Sequence, residues 1–571
     1  MQEVDCRKFA TAVMLCLMSI GARQAQGQVV ADTIYSGGEI ITVSEMVPDA
    51  EAIAVRDGKI IAVGSSAQVL QAKGPRTRMV DLKGKTLLPG FIDGHSHFIN
   101  SLTVARQANV FPPPFGPGDT VEGIVKALKE LQRQQNIKPG EIIMAYGYDD
   151  NCLPPEHKLA AADLDPHFPD NPVLVGHVSL HGAVLNSVAL KKYNITAQTV
   201  TPPGGIIVRK PGTNEPAGLL METAFLPIFA TLPKPSAAQA LDALEKGQLI
   251  YAAAGITTAH EGASYADDLA ILQRGARAGK LYIDVIAFPF ITDLEQVLKD
   301  NPPSSFGKYD QRLKLGGVKI TIDGSPQGKT AHFTTPYLTG GPNGEKDWCG
   351  EPTFPEPVFH SMVKQVYDAK LPLIVHCNGD AAIDNLLRAH QIALGDAVAG
   401  DHRTGIIHCQ FVRPDQLEKI AAWKLFPSFY TEHTYFFGDT HIKNRGLGQA
   451  AFLSPCKTAL AQGIRFANHT DFNVAPIDQL FVIWSAVNRV SREGQIIGPN
   501  ERISPLEAIK ALTIYPAFWY REEDHKGSLD VGKLADLVVL DRNPLTIDPM
   551  KIKEIKVLET IKEDRTIFRS P

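Results

Sequence analysis

Leu87-Leu88-Pro89-Gly90-Phe91-Ile92-Asp93-Gly94-His95-Ser96-His97 carries an apolar run directly into two histidines separated by a single residue. Residues two apart on a strand point to one face, so His95 and His97 aim both imidazoles at the same point. Three more stretches end an apolar run in the same way: Leu373-Ile374-Val375-His376, Gly405-Ile406-Ile407-His408 and Ile464-Arg465-Phe466-Ala467-Asn468-His469-Thr470-Asp471. A fifth, Gly317-Val318-Lys319-Ile320-Thr321-Ile322-Asp323, places a lysine in a comparable setting. Neutral imidazole and carboxylate suit zinc and similar first-row metals. The set points to a metal-dependent hydrolase.

Around these stretches, residues 86–524 alternate apolar strand runs with helical patterns at 237–254, 356–369 and 505–511. That alternation argues for a parallel sheet. Its length, with a ligand-type residue at each strand end, predicts an α/β chain folded as a (β/α)8 TIM-type barrel, whose chemistry sits at the C-terminal ends of its strands. Residues 101–250 exceed what two βα units need and read as an inserted region over the barrel mouth. The segments 28–85 and 525–571 are rich in short β signals, including the hairpin turn Arg56-Asp57-Gly58-Lys59. Together they predict a small β-sandwich built from both termini.

Composition narrows the possibilities. The 571 residues are 44% hydrophobic and 21% charged with a net charge of -5, as in a globular protein with no basic cluster for nucleic acid. Arg7 and Lys8, an apolar run over 9–20 and Ala25-Gln26-Gly27 form a secretory signal pattern over 1–27, with Glu3 and Asp5 as departures from it. The run is too short to span a bilayer. Export to a bacterial periplasm or the medium is therefore expected, with a cytoplasmic location if translation starts later, for example at Met14. Five cysteines remain after such a cleavage, an odd and scattered number that is no disulfide framework. Cys377 and Cys409 each follow a candidate ligand and face the opposite way on their strands, as packing residues.

The Pro-Gly-Phe-Ile-Asp-Gly-His-Ser-His stretch ending at His97 resembles the first barrel strand of the amidohydrolase superfamily. Gly527-Ser528-Leu529-Asp530-Val531-Gly532-Lys533-Leu534-Ala535-Asp536-Leu537-Val538-Val539-Leu540 resembles the segment that rejoins the sandwich in that superfamily. His177-Val178-Ser179-Leu180-His181, Gly218-Leu219-Leu220-Met221-Glu222, Gly255-Ile256-Thr257-Thr258-Ala259-His260 and Val318-Lys319-Ile320-Thr321-Ile322-Asp323-Gly324 resemble the branch that includes N-substituted formamide deformylases, amidohydrolase family 3. The resemblance implies metal ligands at His95, His97, Lys319, His376, His408 and Asp471. It also implies that Asp471 takes a proton from the bound water, and that Lys319, if carboxylated, bridges two metals. One or two divalent ions, zinc first, are expected.

The chemistry is consistent with these roles. Bound zinc lowers the pKa of its water to about 7 and polarises a carbonyl. A nearby carboxylate then relays the proton to the leaving nitrogen. The expected reaction is hydrolysis by metal-activated hydroxide of a non-peptide C–N bond in a small molecule: a formamide, an N-acyl amine or a cyclic amide. A heterocycle deaminase and a non-catalytic metal-binding regulatory protein on the same scaffold are the alternatives. His181, His260, His433 and His469 are candidate substrate contacts, His469 because it lies two residues before Asp471. Asp149 and Asp150 either line the pocket or order the insert, and Glu222 is a similar case. Trp484 and Arg489 read as packing or lid residues. Lys319 has a second reading, as an ion pair with Asp323. Oligomeric state is left open.

Overall fold

The computed structural model describes residues 29–154, 157–178, 182–202, 205–232, 237–342 and 345–571. The expected leader and His181 lie outside them. Eight parallel strands form a barrel in chain order: β1 (Phe91–Ile92), β2 (Ile256–Ser264), β3 (Asp284–Pro289), β4 (Val318–Thr321), β5 (Leu373–Cys377), β6 (Gly405–His408), β7 (Phe426–Phe429) and β8 (Ala467–Asn468). Leu313–Leu315 extends the fourth position beside β3, and a parallel bridge between Phe290 and Lys319 joins β3 to β4. The barrel closes just past β8, where Asp471 N donates to His95 O (3.2 Å) and His97 N donates to Phe472 O (2.9 Å). This is the TIM-type arrangement.

Helices cover the outside because their apolar stripes match the strands' outward residues. Glu356–Asp368 buries Phe359, Val363 and Val366, at helical spacing, against the core that contains Val318, Ile320 and Val375. The helices predicted at 237–254, 356–369 and 505–511 appear as Ala237–Ala253, Glu356–Asp368 and Pro505–Lys510.

Both termini enter one eight-stranded mixed sheet. Thr86–Pro89 lies at its join, antiparallel to Leu537–Leu540 and parallel to Thr33–Ile41. Alternation on these strands serves two cores at once. Leu87, Leu537 and Val539 face the sheet's own core, whereas Leu88, Val538 and Leu540 face the barrel. The hairpin between Asp49–Arg56 and Lys59–Gly64 turns at Asp57 and Gly58, both with positive φ, the requirement of a two-residue type I′ turn.

Between β1 and β2, strands spanning residues 108–222 form a six-stranded sheet with its own apolar cores, one around Leu128, Tyr148 and Phe168 and another around Leu185, Leu220 and Phe225. The flanking parts of the predicted insert belong to the barrel instead. Leu102, Val104, Ala243 and Leu244 pack in the main core. The insert touches the segments that follow β7 and β8: the Phe115 ring lies 5.8 Å from that of Phe436 and meets Phe481 edge-on at 4.9 Å, and Arg492 Nη1 lies 3.0 Å from Asp149 Oδ2. Among the described residues no helix is long and apolar enough to cross a membrane.

Candidate metal centre

The ends of β1, β5, β6 and β8 converge on one small volume. His95 Nε2 and His97 Nε2 lie 3.6 and 3.4 Å from Asp471 Oδ1. The ligand atoms of His95, His97 and Asp471 all fall within 4.8 Å of one another. His408 Nε2 is 3.9 Å from Asp471 Oδ2. The His376 ring stands edge-on to His408 at 4.6 Å between centroids, and the His95 ring lies 5.6 Å from that of His408. Residues from four separate stretches thus surround one point.

Backbone geometry helps to aim them. His408 and Asp471 occupy the left-handed region, with φ of 68° and 54°, uncommon for residues with a side chain and concentrated at functional sites. His408 is the last residue of β6 and Asp471 lies just past β8, so both stand where the ladders stop.

Electrostatics favours neutral rings around an ionised acid. Burial, reinforced by Lys319 and neighbouring histidines, holds His95 well below the ordinary histidine range, and burial with His376 does the same for His408. Burial works against ionisation of Asp471, but His97, His469 and Lys319 outweigh it and hold the carboxyl below its usual value. His97 is the exception among the rings, because Asp471 overcomes its burial and raises it. Asp471 Oδ1 is buried without a hydrogen-bond partner. A buried carboxylate oxygen is rarely left so, and a cation among these nitrogens would satisfy it. The donor set of His95, His97 and Asp471, with His408 and His376 beside it, therefore fits a divalent metal.

Lys319 is buried on β4, and burial lowers its ammonium to about 8. Among the described residues no carboxylate pairs with it, so the Asp323 ion pair is not formed. Four residues along a strand separate two side chains by roughly 13 Å even on a shared face. Asp323 holds His376 instead. It accepts from His376 Nδ1 (3.1 Å) and from the backbone N–H groups of His332 (3.1 Å), Asn378 (3.0 Å) and Gly379 (2.8 Å). The His376 proton therefore sits on Nδ1, and its Nε2, which the Asn378 side-chain amide approaches at 3.2 Å, carries the lone pair that a ligand requires. Sequence reading missed this role, and the only hint was Asp323's place just past the strand.

The candidate substrate contacts are buried and have polar partners of their own. His260 lies beside His95 (5.0 Å between rings), with Nδ1 2.7 Å from Tyr520 Oη. His433 pairs with His441 (3.0 Å), and His469 pairs with His408 (3.1 Å). None presents an open face: His260 and His469 are 0% exposed and His433 3%. Asp149 and Asp150 order the insert, Asp149 on Arg492 and Asp150 on His177 (3.1 Å). Glu222 ends the strand Pro216–Glu222, which belongs to the insert's six-stranded sheet. Arg489 is a packing residue, donating to the carbonyls of Ile497, Ser454 and Leu453. Trp484 donates to Met550 O (3.1 Å) and packs in the main core. Cys377 and Cys409 are buried free thiols.

The chain is 28% identical over 558 residues to the putative amidohydrolase YtcJ of Bacillus subtilis, covering 94% of this chain and 99% of the relative. It is 25% identical over 539 residues to the N-substituted formamide deformylase of Arthrobacter pascens, covering 93% and 97%. Among solved structures, an uncharacterized metal-dependent hydrolase from Pyrococcus furiosus superposes with a TM-score of 0.69 at 24% identity, covering 90% of this chain and all of that one. The amidohydrolase family model matches residues 78–568. With the barrel and its ring of histidines in place, that match over most of the sequence means that the chain belongs to the amidohydrolase family.

Proposed function

We propose that this protein hydrolyses a C–N bond other than a peptide bond in a small molecule, such as a formamide, an N-acyl amine or a cyclic amide, with zinc held by His95, His97, His376, His408 and Asp471. The observation that carries this reading is the buried, unpartnered Asp471 Oδ1 facing two histidine nitrogens. The likeness to the Arthrobacter formamide deformylase along nearly the whole chain supports the bond class.

A divalent cation there supplies Lewis-acid polarisation and makes water more acidic. Asp471, ionised beside that water, accepts its proton and delivers it to the departing nitrogen, a contribution of roughly 10²–10⁴-fold. The neutral rings of His95 and His408 offer lone pairs without a competing proton. Lys319, its ammonium destabilised by burial, reaches the neutral amine near pH 8. Only that form adds CO₂ to give a carbamate, so a second ion depends on this residue. We also propose export, from the leader pattern in residues 1–27.

Elemental analysis with a panel of N-formyl and N-acyl substrates tests the reading, with released amine as the signal. Asp471→Asn is expected to abolish turnover and to retain much of the metal. Turnover that survives in the variant places the base elsewhere. Ammonia release from aminated heterocycles, without amine release from amides, favours a deaminase instead.

A further inference from the structure

Behind the pocket, a row of buried groups runs from His408 across the barrel. His408 Nδ1 lies 3.1 Å from His469 Nε2. His469 Nδ1 lies 2.9 Å from Ser428 Oγ on β7, and Ser428 Oγ lies 3.1 Å from the carbonyl oxygen of Gly94, the residue before His95. Ser428 and His469 are fully buried and His408 nearly so, so water does not supply alternative partners.

Proton counting gives the row a direction. A carbonyl only accepts, so Ser428 spends its one hydroxyl proton on Gly94 O. Ser428 Oγ must then accept from His469, which places the His469 proton on Nδ1. A neutral imidazole has one N–H, leaving His469 Nε2 bare to accept from His408 Nδ1–H. His408 Nε2 is thereby left bare, and it is the atom 3.9 Å from Asp471 Oδ2. Both rings are shut away from water and no carboxylate takes part in this row, so a second proton on either ring would be an uncompensated buried charge. If the serine turned its proton towards His469, every link would reverse. His408 Nε2 would then carry hydrogen and could not bind a metal.

We propose that His469 and Ser428 are positioning residues, forming a one-way hydrogen-bond chain to the Gly94 carbonyl that holds His408 in the tautomer whose Nε2 is free for the metal. The chain also ties the sixth-strand ligand to the backbone that carries His95. The proposal rests on the reading of the pocket as a metal centre.

The test uses metal-free, full-length protein titrated with Zn²⁺ against a chromophoric chelator, and ¹⁵N spectra of histidine-labelled protein without metal. His469→Gln keeps an acceptor near the place of Nε2 and is expected to bind Zn²⁺ within about threefold of wild type, whereas His469→Leu has none and is expected to bind about 10–100-fold more weakly. Ser428→Ala frees His469 to turn over, so Zn²⁺ binding should weaken about tenfold and the His408 signal should report a mixture of tautomers. Wild-type affinity in His469→Leu, or equal losses in His469→Gln and His469→Leu, overturns the proposal. If His469→Leu does not fold, Ser428→Ala decides: unchanged affinity with an unchanged His408 tautomer refutes the chain. If wild type itself binds no Zn²⁺, the metal-centre reading is what fails. The wild-type spectrum still tests the chain, because a His408 proton on Nε2 contradicts it.

Discussion

Replacing Asp323 by Asn should uncouple metal affinity from stability. One oxygen of Asp323 receives His376 Nδ1 and Asn378 N, and the other receives the N–H groups of His332 and Gly379 (3.1 and 2.8 Å). An amide has to place its NH₂ on one side or the other. On the second side it would oppose two backbone donors that cannot change. On the first side it opposes His376, whose tautomer can change, and Asn378 N still reaches the remaining oxygen at 3.2 Å. The amide therefore turns its NH₂ to His376, whose proton moves to Nε2, the ligand atom, and the Asn378 amide 3.2 Å away turns its unpartnered oxygen to meet it. Stability should fall by only about 1–3 kcal/mol, one weakened bond to a charged acceptor. Zinc affinity should fall about 10–100-fold. Asp323→Ala is the contrast: three buried backbone N–H groups lose their acceptor at about 1–3 kcal/mol each, a total comparable with the stability of a typical domain, about 5–15 kcal/mol. Chelator competition and denaturant melts of metal-free protein separate the two effects. Wild-type zinc affinity in Asp323→Asn would refute the argument, as would a greater loss of stability in Asn than in Ala.

Zinc at a hundred times its dissociation constant should stabilise the wild type by about 2.7 kcal/mol, seen as a rise in melting temperature that chelation reverses; a transition indifferent to zinc counts against the centre. For Lys319, the folded value of about 8 lies below the unfolded one of about 10.4. The unfolded chain thus holds a proton that the folded one has released, and stability should rise with pH across that window. Lys319→Met should remove that rise in metal-free protein, and an identical pH profile for both proteins rejects the assignment. Glu432 is fully buried with neither carboxylate oxygen hydrogen-bonded, and burial holds it well above the carboxylate range. Folded protein keeps a proton that the unfolded chain loses above about pH 4.3, so this group lowers stability as pH rises from there. Glu432→Gln should be the more stable protein at neutral pH, with the gain vanishing in acid; a loss of stability in the variant at neutral pH contradicts this.

Much of this protein was determined by neighbours in sequence. Apolar runs ending in His97, His376, His408 and Asp471 announced strands with their chemistry at the C-terminal end, and Asp57-Gly58 announced a hairpin. Period and backbone chirality are local properties, so they survive without knowledge of what the chain meets. The tertiary structure alone decided which polar atoms face one another. His408 and His469 are 61 residues apart, and Ser428 and Gly94 are 334 apart. Asp323 lies just past the strand that carries Lys319 yet holds His376 on the next strand. Residues 108–222 close into a sheet of their own, while their flanks join the barrel core. The hydrogen bonds at the site turn on barrel closure, because their direction and burial belong to groups brought within about 3 Å only once the cylinder is complete, whereas the insert closes on cores of its own.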